Sequence, residues 1–210
     1  MSDDFYRIVF KVAAALELPV VILTVLGLVA VVIELGAFLL ETGQHVRRRF
    51  PALVSAADKA RSLVDQGARA EAGEELTKVA WAPPMAKVLV KLATYAGTPG
   101  GEALIAKQLA DFDFACQRRL GRTRLLVRTG PALGLMGTLI PLSPALEGLA
   151  RGNVTSLTDN LQLAFSVTVL GLLIGVVAFG LSLFRDRIYG QDFSDLEYVA
   201  AVLTDDRESA

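Results

Sequence analysis

Three long uncharged runs stand out in the pattern of apolar and polar positions along the 210 residues. They cover residues 18–40, broken only by Glu34, then 129–146 and 161–184. At about 1.5 Å per helical residue, each run can cross a hydrocarbon core about 30 Å thick, the second only just. The pattern therefore predicts an all-α membrane protein with three transmembrane helices.

The segment between the first two runs has the apolar repeat, about 3.6 residues long, of short amphipathic helices. Such repeats over 53–64, 69–79 and 85–92 end at glycines or prolines, which are typical helix stops. A further apolar stripe over 105–120 runs toward the second span and meets no breaker except Gly121. It predicts one long helix that continues from the cytoplasm into the bilayer.

Positive charges give the orientation of the spans. Residues 44–128 hold 15 of the 21 Lys and Arg against 8 acids, whereas the connection between the second and third spans has only Arg151. By the positive-inside rule, 44–128 and the C-terminus are expected to be cytoplasmic and the N-terminus outside.

Glu34 is expected to snorkel toward the cytoplasmic interface or to contact another subunit. The predicted organisation is an N-terminal periplasmic or interfacial segment 1–17, transmembrane helices 18–42, 129–149 and 161–184, a cytoplasmic helical domain 43–128, an external loop 150–160 and a cytoplasmic C-terminal tail 185–210.

Composition narrows the class of function. The chain is 53% hydrophobic, with a mean hydropathy of +0.48 and a formal net charge of −1, so nucleic-acid binding is not expected. The one cysteine, Cys116, excludes an intrachain disulfide and is expected in a core; the one histidine, His45, is expected at the membrane interface. The sequence has no metal-ligand cluster, catalytic set or phosphate-binding loop, so neither enzyme activity nor a cofactor is predicted. No secretory cleavage pattern opens the chain, and the first run is expected to remain as a span.

Polar residues inside the spans are the candidates for function, because a polar group in lipid is costly unless it faces protein or water. Thr138 follows Gly134 and Gly137, whose small size lets another backbone approach. Its hydroxyl either faces such a neighbour or bonds a carbonyl of its own helix. Pro141 and Pro144 are expected to loosen the helix and free carbonyls, which suits a water-accessible wall.

The third span carries Gln162, Ser166 and Thr168, followed by Gly171 and Gly175. Gln162 and Ser166 share one face by their i, i+4 spacing, and Thr168 lies on another. We therefore assign Thr168 to a pore and the other two polar residues to a neighbouring subunit.

Two segments resemble the signatures of a known family. Gly130-Pro131 followed by GLMGT at 134–138 is similar to the second-span signature GP-x-x-GLxGT of the MotA/TolQ/ExbB proton-channel family. The segment AFSVTVLGL at 164–172 is similar to its third-span signature A-L-x-x-T-x-x-GL. Three spans with an outside N-terminus resemble the TolQ/ExbB branch. The resemblance is specific in sequence over 130–172 and extends as a layout over most of 50–190.

The resemblance implies a pentameric ring in the cell inner membrane around a single-span partner of the ExbD, TolR or MotB type. The partner's membrane aspartate would accept and release protons, and proton flow would drive work on envelope components. Thr138 and Thr168 correspond to the ring threonines that line the path, with Ser166 and Gln162 as further candidates for the ion pathway or partner contact. Four glycines are assigned to helix packing: Gly134, Gly137, Gly171 and Gly175.

Two departures from the family pattern bear on mechanism. Leu163 stands where TolQ/ExbB proteins often carry a glutamate, so the ring lacks a titratable group there and the partner must hold the proton. Pro141 and Pro144 replace the more usual apolar residues or glycine. Three alternatives stay open: the same motor driven by Na⁺, a non-conducting oligomeric scaffold whose glycines serve only packing, and an enzyme subunit, which the lack of paired catalytic residues disfavours.

Overall fold

The computed structural model describes residues 2–46 and 48–205. Over these ranges the chain forms helices and no strand, which confirms the predicted all-α class. The helices are α1 Ser2–Ala15, α2 Glu17–His45, α3 Phe50–Asp65, α4 Arg69–Lys78, α5 Pro83–Tyr95, α6 Gly101–Ala150 and α7 Val154–Thr204. Three helical stretches are long and apolar enough to cross a membrane, and they contain the three predicted spans: Lys11–His45, Gly101–Ala150 and Val154–Thr204.

The helices divide into two compact units. The first, here called the span unit, comprises Met1–Gly36 and Gly121–Leu183. The second, the bundle unit, comprises Ala37–Leu120 and Phe184–Ala210. Each unit has its own cluster of buried apolar side chains.

Helix α6 is continuous from Gly101 to Ala150, as the apolar stripe over 105–120 predicted. It runs through Pro131, Pro141 and Pro144. Because proline has no N–H, the carbonyl four residues before each proline loses its usual donor and is open to other partners.

A tight turn joins α6 to α7. The N–H groups of Gly152 and Asn153 bond back to carbonyls of the last α6 turn at 3.0 and 2.9 Å, in a Schellman motif with Gly152 at a φ of 75°. The Asn153 side chain accepts a hydrogen bond from the Ser156 backbone N–H at 3.0 Å and so caps α7. The polar segment predicted as the external loop 150–160 is therefore largely helical, because the cap at Asn153 starts α7 early.

Helices α3, α4 and α5 form much of the bundle unit, at the positions that the apolar repeats predicted. Prolines in the first turn begin α3 and α5, where a missing N–H breaks no intrahelical bond. Gly67, with a φ of 80°, follows the end of α3. Leu53, Leu76 and Leu89 are fully buried and contribute to the core from each of the three helices.

The C-terminal part of α7 completes the core of the bundle unit. Leu196 and Val199 are fully buried, and both they and Leu203 belong to the same apolar cluster as Leu53. The segment predicted as a C-terminal tail, 185–210, is therefore a packed helix as far as Thr204; residues 206–210 of that prediction lie outside the described residues. The three- and four-residue spacing of these apolar side chains is the signal for a buried helical face.

Candidate ion-pathway site

Within the span unit, α6 and α7 approach each other closely at glycine positions. A Cβ atom added to Gly171 would lie 2.6 Å from the carbonyl oxygen of Gly130 and 2.7 Å from the Cα of Gly134. One added to Gly130 would lie 2.7 Å from the carbonyl oxygen of Gly171. These neighbours are backbone atoms, which cannot rotate away as a side chain can. The contact therefore requires glycine, and it joins two helices of one chain.

Two more glycines extend this contact in both directions. A Cβ atom on Gly137 would overlap the Val167 side chain, and one on Gly175 would lie 2.7 Å from Cγ of Pro131. The structure thus places all four glycines that the sequence assigns to packing against the neighbouring helix of the same chain. Gly130 joins them as a fifth.

Thr168 is part of the same contact. Its Oγ1 lies 2.9 Å from the carbonyl oxygen of Ala164 in its own helix and 3.1 Å from that of Gly134 in α6. The side chain is partly buried. A threonine hydroxyl has one proton to donate, and its oxygen keeps lone pairs that can accept. Thr168 is therefore held between the two helices while it retains acceptor capacity.

The other three predicted polar residues are not drawn into this contact. Thr138 Oγ1 donates to the Leu135 carbonyl at 2.7 Å, and Ser166 Oγ donates to the Gln162 carbonyl at 2.8 Å. Thr138 is partly buried, whereas Ser166 and Gln162 are exposed. Along the described part of the chain, none of the three is hydrogen-bonded to Thr168. Bonding to a carbonyl one turn back is a common arrangement for hydroxyls in membrane helices.

Helix α2 packs on α7 in the same unit. Val31 forms a buried cluster with Ile174 and Ala178, and a Cβ atom on Gly27 would lie 3.3 Å from the Ile174 side chain. Thr24 is buried, and its hydroxyl donates to the backbone carbonyl one turn earlier at 2.8 Å. All three spans thus contribute to the span unit.

The α6–α7 contact lies inside a region that matches a known family. The model of the MotA/TolQ/ExbB proton channel family matches residues 59–191, more than half of the chain. The chain belongs to this family. A search of curated proteins found no match. Membership makes the chain a multi-pass membrane protein of a channel family, whose members form oligomeric channels.

The bundle unit of this MotA/TolQ/ExbB family member contains an ionic cluster around Glu41, which the sequence did not predict. Glu41 Oε2 accepts hydrogen bonds from Arg185 Nε at 3.1 Å and from the Tyr189 hydroxyl at 3.2 Å. Arg119 Nη1 donates to the other carboxylate oxygen at 3.4 Å. The Arg185 side chain is only 3% exposed, so Glu41 compensates a buried cation. Burial raises the pKa of Tyr189 to about 12, and the charge of Glu41 adds to the effect.

A second polar cluster surrounds Asp192 and Asp195, which lie one turn apart on α7. Arg48 donates to both oxygens of Asp195, at 2.7 and 2.9 Å, and this pairing raises the pKa of Arg48. Trp81 Nε1 donates to Asp192 Oδ1 at 3.0 Å. His45 Nδ1 lies 3.2 Å from the same oxygen, within ion-pair distance but without the alignment of a hydrogen bond. Burial raises the pKa of Asp192, against the opposing effects of Trp81 and His45.

The single cysteine of this family member is a core residue, as predicted. Cys116 is 8% exposed and belongs to the apolar cluster of the bundle unit. Burial, with the charge of Asp192 as a smaller cause, raises the pKa of its thiol to about 12. Over residues 2–46 and 48–205, no group of three or more His, Cys, Asp or Glu side chains is arranged to hold a metal ion.

Sequence signals existed for both polar clusters. Glu41 directly follows the first uncharged run, and Arg185 directly follows the third. Asp192 and Asp195 have the i, i+3 spacing of one helix face. His45, predicted at the membrane interface, also belongs to the Asp192 cluster, because α7 continues as a helix past the third uncharged run and brings an acid to it.

Proposed function

We propose that this chain is the ring subunit of an inner-membrane, proton-driven motor. It works as a homo-oligomer, a pentamer by the family resemblance, with a single-span partner of the ExbD, TolR or MotB type that carries a membrane aspartate. Proton flow between ring and partner is converted into mechanical work on envelope components. The N-terminus lies outside and the C-terminus in the cytoplasm, as the positive-inside rule predicts.

The observation that carries this proposal is the position of Thr168. Its hydroxyl is fixed at the α6–α7 contact between the carbonyls of Ala164 and Gly134, and its oxygen can still accept a hydrogen bond. A water molecule or the partner's protonated carboxyl group can donate to it. An uncharged acceptor of this kind can line a proton path without holding the proton. Thr138, with Ser166 and Gln162, is proposed to extend the polar wall or to contact the partner.

The test is proton flux into proteoliposomes that contain the ring and its co-purified partner. Thr168→Val keeps the shape of the side chain but removes the hydroxyl, and we expect it to abolish flux while the ring still assembles; Thr138→Val is expected to do the same. Thr24→Val is the matched control, because Thr24 is buried in α2, away from the α6–α7 contact, and its hydroxyl donates to a carbonyl of its own helix. If proton flux stays at the wild-type level in both Thr168→Val and Thr138→Val, the pathway assignment is wrong. Exchanging Na⁺ for K⁺ in the same assay separates a sodium-driven motor from a proton-driven one.

A second candidate function, a non-conducting membrane scaffold, is favoured by a specific observation. The hydroxyls of Thr138 and Ser166 donate to carbonyls of their own helices, which is all that packing in lipid requires. Native mass measurement of the purified complex discriminates the two functions. The motor requires a small single-span companion and ion flux, whereas the scaffold predicts an oligomer of this chain alone with no flux.

A further inference from the structure

The bundle unit contains a cavity of about 290 Å³ that the proposed ion pathway does not use. Its walls are mainly apolar and include Trp81, Met85 and Phe112. Three charged side chains also line it: Glu41, Arg119 and Asp192. An apolar cavity into which a few polar groups converge is the usual form of a small-ligand site.

Asp192 gives the cavity an open acceptor. Both of its close contacts, with Trp81 Nε1 and His45 Nδ1, are made by Oδ1. In the described residues no hydrogen bond reaches Oδ2, and the ion-pair partner of this carboxylate is a histidine, with no lysine or arginine within ion-pair distance. A carboxylate can accept several hydrogen bonds. The second carboxylate oxygen, Oδ2, therefore suits a ligand that carries a positive charge and N–H donors.

Arg119 gives the cavity a donor of opposite charge. Its guanidinium reaches Glu41 through a long contact of 3.4 Å, and it shares that carboxylate with Arg185 and Tyr189. The Arg119 side chain is 53% exposed. A guanidinium presents several N–H groups in a plane that matches a phosphate, so Arg119 retains donors for an anionic group.

The two charges follow a definite order along the helices. On α2, Glu41, the partner of Arg119, lies one turn nearer the first uncharged run than His45, the neighbour of Asp192. On α7, Tyr189 at the Glu41 cluster likewise precedes Asp192 by about one turn, or about 5 Å. Along both helices, the residues around the cation are thus nearer in sequence to the apolar run than the residues around the carboxylate. In a phospholipid with an ethanolamine headgroup the phosphate is next to the acyl chains and the ammonium is farther out.

We propose that this cavity binds the ethanolamine phosphate headgroup of a membrane lipid, with the phosphate on Arg119 and the ammonium on Asp192. The methylene groups between them lie against the apolar wall that includes Trp81 and Phe112. Burial raises the pKa of Asp192, and a bound ammonium offsets that desolvation. A choline headgroup matches less well because its quaternary nitrogen has no N–H to donate, and a glycerol headgroup supplies no cation for Asp192.

The test is lipid retention by the full-length protein purified from nanodiscs that contain equal parts of phosphatidylethanolamine, phosphatidylcholine and phosphatidylglycerol, measured by native mass spectrometry. We expect phosphatidylethanolamine to be retained about tenfold over phosphatidylcholine, the equivalent of one charge-assisted hydrogen bond. Asp192→Asn should remove this preference, and Arg119→Gln should lower retention of all three lipids. Glu197→Gln is the matched control, because Glu197 is exposed on the same helix and should leave retention unchanged.

Two results would overturn the assignment. One is equal retention of the three lipids by the wild-type protein, which needs no variant and so is independent of any folding defect. The other is an unchanged preference in a folded Asp192→Asn protein. Soluble phosphoethanolamine added to the protein in phosphatidylcholine nanodiscs distinguishes the source of the ligand. If the soluble compound stabilises the protein against heat and no lipid is retained, the ligand is a free metabolite and the lipid assignment is wrong. Retention is measured without ion flux, so its failure is separate from failure of the proposed motor function.

Discussion

Replacing Gly171 by alanine tests the α6–α7 contact most directly. The new Cβ atom would lie 2.6 to 2.8 Å from three backbone atoms of α6, in Gly130 and Gly134. Ordinary van der Waals contact begins at 3.4 Å, so from 2.7 Å the two helices must separate by about 0.7 Å. A radial gap of this size forfeits about a quarter to a half of the dispersion energy of each contact across the interface. It also lengthens the Thr168–Gly134 hydrogen bond beyond 3.1 Å.

The matched control is Gly180→Ala in the same span. A Cβ atom on Gly180 would meet nothing within 4 Å, and both substitutions gain the same helix propensity, about 1 kcal/mol for glycine to alanine. The difference between the two variants therefore isolates the cost of overpacking. We expect Gly171→Ala to be less stable than Gly180→Ala by about 1–3 kcal/mol.

Thermal unfolding of the detergent-solubilised protein, followed by fluorescence, gives the order of stability, and the flux assay gives the functional consequence. Gly180→Ala should melt at or above the wild-type temperature and conduct normally. Gly171→Ala should melt lower and, because Thr168 is displaced, conduct less. Equal melting temperatures for the two alanine variants would refute the close backbone contact from which the effect was worked out.

Three further predictions concern the bundle unit. Glu41→Gln removes the carboxylate that compensates buried Arg185 and should lower the free energy of unfolding by about 1.5–3 kcal/mol, whereas exposed Glu197→Gln should change it little; chemical denaturation of both variants decides. Burial raises the pKa of Asp192 in the folded state, so the folded protein binds this proton more tightly than the unfolded chain, and the wild type should lose stability as the pH rises from the ordinary pKa of 3.8 through the raised value. Melting curves of Asp192→Asn should lack this pH-dependent loss of stability, and parallel pH profiles for the two proteins would contradict the prediction. Cys116, with its pKa raised to about 12 by burial, should resist labelling by maleimide at pH values near 8 until the protein is unfolded with a denaturing detergent. Rapid labelling of the native protein would show that the thiol is accessible.

The order of the helices along the chain could be predicted from the sequence because local patterns determine where each helix begins and ends. The uncharged runs, the prolines that begin α3 and α5, and Gly67 after α3 each act within a few residues. The apolar pattern predicts the third span over 161–184, and α7 already begins at Val154 because the Asn153 side chain caps the helix there. The sequence of 185–210 does not by itself show that this segment packs, because its apolar stripe is interrupted by acids whose partners are distant in sequence.

The candidate site shows the same division. That Gly134 and Gly171 serve a close contact was predictable from residue type alone. That they meet each other within one chain depends on the register of two long helices, which the short turn at Gly152 and Asn153 fixes and no local pattern reports. The Asp192 cluster was missed for the same reason, since His45 and Trp81 come to it from separate elements.

The neutral side chain at Leu163 constrains how the proposed pathway can operate. A threonine hydroxyl does not ionise under physiological conditions, so Thr168 can pass a proton only by accepting a hydrogen bond and donating its own. Its proton is engaged by the carbonyls of Ala164 and Gly134, and releasing it would leave a carbonyl of α6 without that donor. The hydroxyl is therefore better suited to stabilising a protonated group that arrives than to relaying a proton along the helix. With no acid at position 163, the proposed motor needs the carboxyl group of the proposed partner to hold the proton. Leu163→Glu should then add a titratable group to α7, one to two turns before Thr168, and the pH dependence of flux in proteoliposomes should acquire an additional transition that the wild type lacks.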